Sequence, residues 1–338
     1  MTIEAGGKAE REESSAGETR KRLLSVVVPC ANEEEILART NAKLTAVLEG
    51  LPDLNFEIVY VDDGSTDTTP LVLHQLQSMD GRVRVVRLSR NFGHQVAITA
   101  GMEHAAGDAV VVIDADLQDP PEVIAEFVKA WKQGHDVAYG VRVEREGETH
   151  FKLWTAKLFY RLIGRLSDTQ IPLDSGDFRL IDRKVLDALV AMPERDRYIR
   201  GMVSWVGFSQ APVPYHRAAR EAGMTKFSLF RMLRFGTDGI VSFSTLPLKL
   251  ASWLGFVVSG IAMAGVVWAL CARLFGKNWV QGWASLTIAI LFLGGVQLIC
   301  LGIIGEYLGR TYGESKRRPL YVVRERLGFE RRASKESG

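Results

Sequence analysis

VVVIDADLQDPPE, residues 110–122, joins a run of β-branched apolar residues to the carboxylates Asp114, Asp116 and Asp119, with Glu122 just beyond. An unbroken apolar run of this length predicts a strand buried on both faces. Ending it in clustered acids crowds like charges out of water, which costs free energy unless something positive is held there. A second run closes the same way. EIVYVDDGSTD, residues 57–67, ends in Asp62 and Asp63 and turns through Gly64 and Ser65.

Outward from these two stretches the chain alternates. LLSVVVPC, VRVVRLS and DVAYGV carry the strand pattern; EEEILARTNAKLTAVLEG, TPLVLHQLQSM, HQVAITAGMEHA and PEVIAEFVKAWKQG place apolar residues at helical spacing. The alternation predicts an α/β domain whose mostly parallel sheet is covered by helices on both faces. Ligands of such sheets bind outside the carboxyl ends of the strands, so both acidic strand ends face one crevice. The Asp-x-Asp spacing on an extended segment points Asp114 and Asp116 to the same face. A divalent cation, Mg²⁺ or Mn²⁺, resolves the repulsion, because both prefer carboxylate oxygens and complete their shells with substrate phosphates. No GxGxxG follows the first strand and no GxxxxGK[ST] occurs, which argues against a dinucleotide site or a P-loop.

The 338-residue chain is 47% hydrophobic and carries a net charge of +2, too little to imply a nucleic-acid partner. Cys30, Cys271 and Cys300 form no zinc or disulfide spacing, in keeping with a reducing cytosol. Residues 1–22 lack the apolar core of a signal peptide and read as a disordered tail before a catalytic domain at 23–225. Neither Leu250 to Leu270 nor Trp283 to Gly305 contains a charge, which predicts transmembrane helices at 249–272 and 283–306. Lys226, Arg231, Arg234 and Lys249 precede the first; Arg310, Lys316, Arg317 and Arg318 follow the second; only Arg273 and Lys277 lie between. The positive-inside rule then makes the pair a hairpin with the domain, both termini and the tail at 307–338 in the cytoplasm. The segment 226–248 mixes Phe227, Phe230, Leu233 and Ile240 with basic residues, the pattern of a helix lying among lipid headgroups.

SVVVPCANEEE, YVDDGSTD, LSRNFGHQVAITAG, DADLQDPPE and SGDFRLIDR, in this order, resemble the family 2 glycosyltransferases of GT-A fold. The two apolar spans narrow the resemblance to polyisoprenyl-phosphate glycosyltransferases, such as bactoprenol glucosyltransferase and dolichyl-phosphate mannosyltransferase, over about residues 22–325. The resemblance implies inverting transfer of one sugar from a nucleotide-sugar to a polyprenyl phosphate at the inner membrane of a bacterium. By matching positions, Pro29, Ala31, Asn32 and Glu34 line the nucleotide pocket, Asp62 bonds the base with Asp63 beside it, and Asp114 sits near the ribose and donor sugar. Asp116 and Gln118 take the metal. Asp177 lies by the anomeric carbon, as a base or as the group that orients the acceptor. Arg217, Arg220 and Lys226 resemble the basic loop that closes over the donor phosphates, with Thr225 keeping a hydroxyl.

The acceptor phosphate needs cations, and Arg142, Lys157 and Arg161 suit that task. NFGHQ and SGDFRLIDR look most like bactoprenol glucosyltransferases, which favours UDP-glucose and undecaprenyl phosphate; GDP-mannose, UDP-galactose or a modified UDP-sugar are the alternatives. His94 falls at a helix start near the crevice and is given no role. The tail RRPLYVVRERLGF reads as a strand, which in some relatives pairs with a neighbouring subunit of a tetramer. A processive synthase would carry Gln-x-x-Arg-Trp, which is absent here. A lipid transporter would need more polar residues in its spans than Ser259, Gln297 and Glu306, and a scaffold would not need every acidic motif.

Overall fold

A computed structural model of the chain describes residues 21–143, 175–216, 246–274 and 283–329. β1 (Arg22–Cys30), α1 (Leu37–Glu49), β2 (Leu54–Asp62), α2 (Thr69–Met79), β3 (Val83–Leu88), α3 (His94–His104), β4 (Ala109–Val112), α4 (Val123–Lys132) and β5 (Val137–Arg142) follow the expected alternation. After them come β6 (Ser175–Asp182), α5 (Arg183–Ala191), α6 (Ile199–Trp205) and β7 (Gln210–Tyr215), then the long helices α7 (Leu246–Leu274) and α8 (Trp283–Ser315), and last β8 (Val323–Leu327). Residues 1–20 of the expected tail, and most of the juxtamembrane segment 226–248, lie outside the described residues, while Arg22 already belongs to β1.

The strands form one sheet in the order β7-β5-β6-β4-β1-β2-β3-β8. β3, β2, β1 and β4 run parallel, as their apolar runs require. Val26, Val28 and Tyr60 pack on one face with Leu37, Leu44 and Phe127, whereas Val27, Val59 and Val61 pack on the other with Ala97 and Ile98. Each parallel strand is thus buried twice, and its carboxyl end is the open side.

β6 departs from the parallel expectation, lying antiparallel to both β4 and β5. Reversal brings the start of β6 to the edge where β4 finishes. With Val112 paired to Arg179, the chain two residues on from Val112 meets the chain two residues before Arg179. That register sets Asp177 across from Asp114. β4 is also shorter than expected. It stops at Val112, and Asp114 to Asp116 enter a turn that leads to Leu117 at φ 54°, so the pair is not on an extended segment. A left-handed leucine is a strained backbone position of the kind that gathers at functional sites.

β8, the strand expected in the tail, pairs antiparallel with β3 of the same chain, Val85 opposite Leu327. Both expected spans are helical. Among the described residues, however, only Phe292–Ser315 of α8 is long and apolar enough to cross a membrane, while α7 holds a shorter apolar stretch, Leu250–Gly265. Trp253, Phe256 and Trp268 of α7 and Phe292, Leu298 and Ile299 of α8 are exposed. α8 has 33 residues, about 50 Å at 1.5 Å per residue. Its far end reaches the catalytic domain, where Glu314 accepts from the Arg195 amide at 2.8 Å and Arg310 stands 3.5 Å from Asp196.

Candidate active site

The crevice is a cavity of about 310 Å³ at the carboxyl ends of β1, β2 and β4, walled by Pro29, Ala31, Asp63, His94, Asp114 and Asp116 among others. Of the residues assigned to the nucleotide pocket, Pro29 and Ala31 face it directly. Asn32, at φ 58°, instead ties the β1 turn to the β2 turn: its amide donates to Ser65 Oγ at 3.0 Å and its Oδ1 accepts from the Thr66 amide at 2.8 Å. Glu34 accepts from the Thr68 amide at 2.7 Å and does the same job. Glu33, which the sequence did not single out, lines the cavity.

The acids closing β2 find partners within the domain, although Asp62 Oδ2, beside Arg87, makes no hydrogen bond. Asp62 is fully buried, accepts from the Ser65 amide at 2.8 Å and lies 3.2 Å from Arg87 Nε on β3. Asp63 accepts from the amides of Phe92 and Gly93 at 2.7 and 2.9 Å. The repulsion inferred at this strand end is therefore answered by an arginine and three amides. The turn that follows is open only to glycine: at Gly64, φ 68°, a Cβ would come within 2.3 Å of the Arg90 backbone.

The β4 side is arranged differently. Asp119 is buried and belongs to a buttress, accepting from Tyr215 Oη at 2.6 Å, with Arg142 4.0 Å away and itself donating to Tyr215 at 3.3 Å. Asp116 accepts from the Gln118 amide at 3.1 Å. Asp114 Oδ1 is buried without a hydrogen bond, and burial raises the carboxyl to about 6. Facing it, Asp177 accepts from Arg200 Nε at 2.8 Å and from Gln95 Nε2 at 3.0 Å. Burial alone would raise its pKa, but the His94 hydrogen bond and the Arg200 charge hold it well below the carboxylate range. His94 Nε2 stands 3.5 Å from Asp114 Oδ1 and 3.4 Å from Asp177 Oδ2. Burial pulls its pKa down, yet the Asp177 bond and both negative charges leave it raised.

His94, Gln95 and Arg200 are the functional candidates that sequence reading missed. The ion-pair partner of Asp177 is Arg200; Arg179 is buried beneath, donating to the Gly176 carbonyl at 2.8 Å. Lys157, Arg161, Arg217 and Lys226 lie outside the described residues. Among the described residues no three His, Cys, Asp or Glu side chains converge to hold a metal unaided.

Residues 25–190, from β1 through nearly all of α5 and including every crevice carboxylate, match the family described as Glycosyl transferase family 2. A protein of Bacillus subtilis (strain 168) described as the uncharacterized glycosyltransferase YkcC is 48% identical over 306 residues, 90% of this chain and 94% of its own. The prophage bactoprenol glucosyl transferase homolog of Escherichia coli (strain K12) is 40% identical over 301 residues, 89% of this chain and 98% of its own. This chain belongs to glycosyltransferase family 2. The family 2 assignment makes it a glycosyltransferase, in agreement with the resemblance carried by the acidic motifs. Among solved structures, the mannosyltransferase PcManGT of Pyrobaculum calidifontis in complex with GDP-Man and Mn²⁺ is 18% identical, with TM-score 0.44 over 84% of this chain and 88% of its own.

Proposed function

We propose that this glycosyltransferase moves one sugar, with inversion, from a nucleotide-sugar to a polyprenyl phosphate at the cytoplasmic face of a bacterial inner membrane. The observation that carries the reading is the likeness to a protein named for bactoprenol glucosyl transfer over 98% of that protein's length. A likeness of that extent takes in the long apolar helices as well as the crevice. UDP-glucose and undecaprenyl phosphate are the leading substrates, with GDP-mannose, UDP-galactose and modified UDP-sugars as other donors. α7 and α8 form the two-span anchor, with both ends in the cytoplasm as the flanking charges favour.

The residues of the β4 turn fit a divalent cation. An oxygen-only set suits Mg²⁺ or Mn²⁺, and a site that borrows phosphate oxygens from its substrate needs only one or two protein ligands. The buried Asp114 Oδ1 has no hydrogen bond, only the His94 ion pair at 3.5 Å, and so keeps acceptor capacity beside the turn. Asp116 and Gln118 would hold the ion; bound there, it would neutralise charge on the departing nucleoside diphosphate.

The rest of the reaction falls to the chain itself. Oxygen of the lipid phosphate bonds to the anomeric carbon from the face opposite the diphosphate, whose oxygen leaves with the electron pair of the broken bond. A phosphate acceptor is already anionic at neutral pH, so no strong base is required. Asp177 is suited to orienting rather than proton abstraction, because Arg200, Gln95 and His94 keep it ionised and engaged. Arg142, half-buried and steered by Tyr215, is the described cation offered to the acceptor phosphate. Arg142→Ala should raise KM for the lipid about tenfold, the scale of one charge-assisted bond, and leave UDP affinity unchanged. Equal losses in both would move Arg142 out of the acceptor site.

The test of the reading incubates purified protein in nanodiscs with undecaprenyl phosphate, Mg²⁺ or Mn²⁺ and a panel of labelled nucleotide-sugars. Label should enter the organic-extractable lipid from one donor and stop when EDTA is added. Transfer that persists in EDTA would remove the cation. No lipid-linked label from any donor, with nucleotide still bound, would sink the reaction proposed.

A further inference from the structure

We infer that His94 is a positioning residue of this transfer, the clasp that keeps the carboxylate after β4 and the carboxylate opening β6 at a fixed separation across the crevice. The inference rests on the reaction proposed above. Its ground is one nitrogen with two partners: Nε2 is 3.5 Å from Asp114 Oδ1 and 3.4 Å from Asp177 Oδ2. Two facing carboxylates repel, and although the turn backbone is tied by Thr40 Oγ1 to the Ala115 carbonyl at 2.8 Å, that bond does not hold the Asp114 side chain. Among the described residues His94 makes the only ion pair to Asp114, and that oxygen has no hydrogen bond. Asp177, by contrast, is anchored independently by Arg200 and Gln95. His94 therefore links the anchored Asp177 to the Asp114 carboxylate across the crevice.

The imidazole is itself aimed from elsewhere. Asp63, closing β2, grips the amides of Phe92 and Gly93 immediately before α3. Gly93, at φ 102°, then turns the chain so that His94 opens the helix at the cavity wall. Gln95, the next residue, donates to Asp177 and accepts from the Ile199 amide at 3.1 Å, which joins α3 to the helix that carries Arg200. One strand-end acid thus fixes the loop that fixes the histidine that spaces the other two acids. Asp63 thus has a structural role as well, each of its oxygens accepting from a backbone amide of the loop.

The same geometry says what His94 does not do. Both neighbours of Nε2 are hydrogen-bond acceptors, so this nitrogen carries its hydrogen and donates. It has no lone pair there with which to take a proton from an acceptor. The side chain is 46% exposed, so its replacement removes no core packing.

The experiment compares wild type, His94→Ala and His94→Gln as full chains in nanodiscs. Undecaprenyl phosphate and the labelled nucleotide-sugar accepted by the wild type are the substrates, and UDP affinity is measured by calorimetry. A loss of spacing near 1 Å costs on the order of 100-fold in rate. His94→Ala should accordingly lower kcat about 100-fold, with UDP Kd changed less than about twofold. His94→Gln, which restores one donor at similar reach, should recover about tenfold of that loss. Unchanged kcat in His94→Ala overturns the inference. So does a fall in UDP affinity matching the fall in kcat/KM, which would make His94 a nucleotide contact. Wild type that labels no lipid overturns the reaction itself, and does so before any variant is compared.

Discussion

Asp116→Ala is expected to cut lipid-linked transfer by about 10³-fold or more, while the protein stays folded. Asp116 sits in the turn after β4, partly exposed, and its observed bond is to the Gln118 amide at 3.1 Å. Losing that bond costs about 1 kcal/mol, a small part of a domain's stability. What the variant loses in the reaction is larger. Charge neutralisation of a phosphate leaving group contributes several kcal/mol of barrier lowering, and about 4 kcal/mol corresponds to 10³ in rate. The measurement is kcat from labelled lipid beside the thermal midpoint, with UDP affinity titrated in Mn²⁺ and in EDTA. Wild-type affinity for UDP should depend on the cation, and the variant's should not. Normal turnover by the variant would end the assignment of Asp116 to the cation.

Arg200→Ala should be the most destabilising of these substitutions. It removes the 2.8 Å partner of Asp177, whose side chain is only 9% exposed. Breaking a buried pair from one side costs about 3 kcal/mol, because the remaining charge keeps its desolvation penalty. His94 and Gln95 stay, which places the cost at the low end of the range, about 6 °C in the thermal midpoint of a domain this size. The pH dependence has a definite sign. Asp177 has a folded pKa depressed below its unfolded value near 4. Its stabilisation is present above that unfolded value and is lost as pH falls through the folded one. Removing Arg200 raises the folded pKa, so the gap between wild type and variant should be full at pH 7 and narrow below about pH 4. A gap that stays constant between pH 7 and pH 3.5 would show that Arg200 acts by packing instead of by charge.

Much of the sheet could be read from the chain because its strands are buried on both faces. LLSVVVPC and AVVV have no polar residue to blur the pattern, apart from Ser25, which bonds Glu57 at 2.5 Å. β6 was legible only as a motif. In SGDFRLID the residues Asp177 and Arg179 alternate with Gly176 and Phe178, so charge lies on a face that elsewhere is apolar, and its direction is not written locally. Everything that depends on that direction stayed hidden: the meeting of Asp177 with Asp114, and the convergence of His94, Gln95 and Arg200 on it. The acids closing β2 illustrate the opposite error. Their crowding was real, but Arg87, from an alternating strand that gives no hint of its aim, supplied the compensation. The turn after β4 was misjudged for a similar reason, since nothing in DADLQ signals a left-handed Leu117.

β8 gives the molecule a second attachment. The chain leaves the catalytic domain after β7, runs through both long helices, and comes back to cap the outer edge of β3. A plate fastened at a single point can swivel; one fastened at two can only rock about the line between them. The mouth of the crevice is therefore held at a limited set of angles to the helices, which is the condition for meeting a substrate whose reactive head is itself held at a surface. A soluble fragment cut after β7 would lose this fastening, and would also bare the edge of β3 to pairing with other copies.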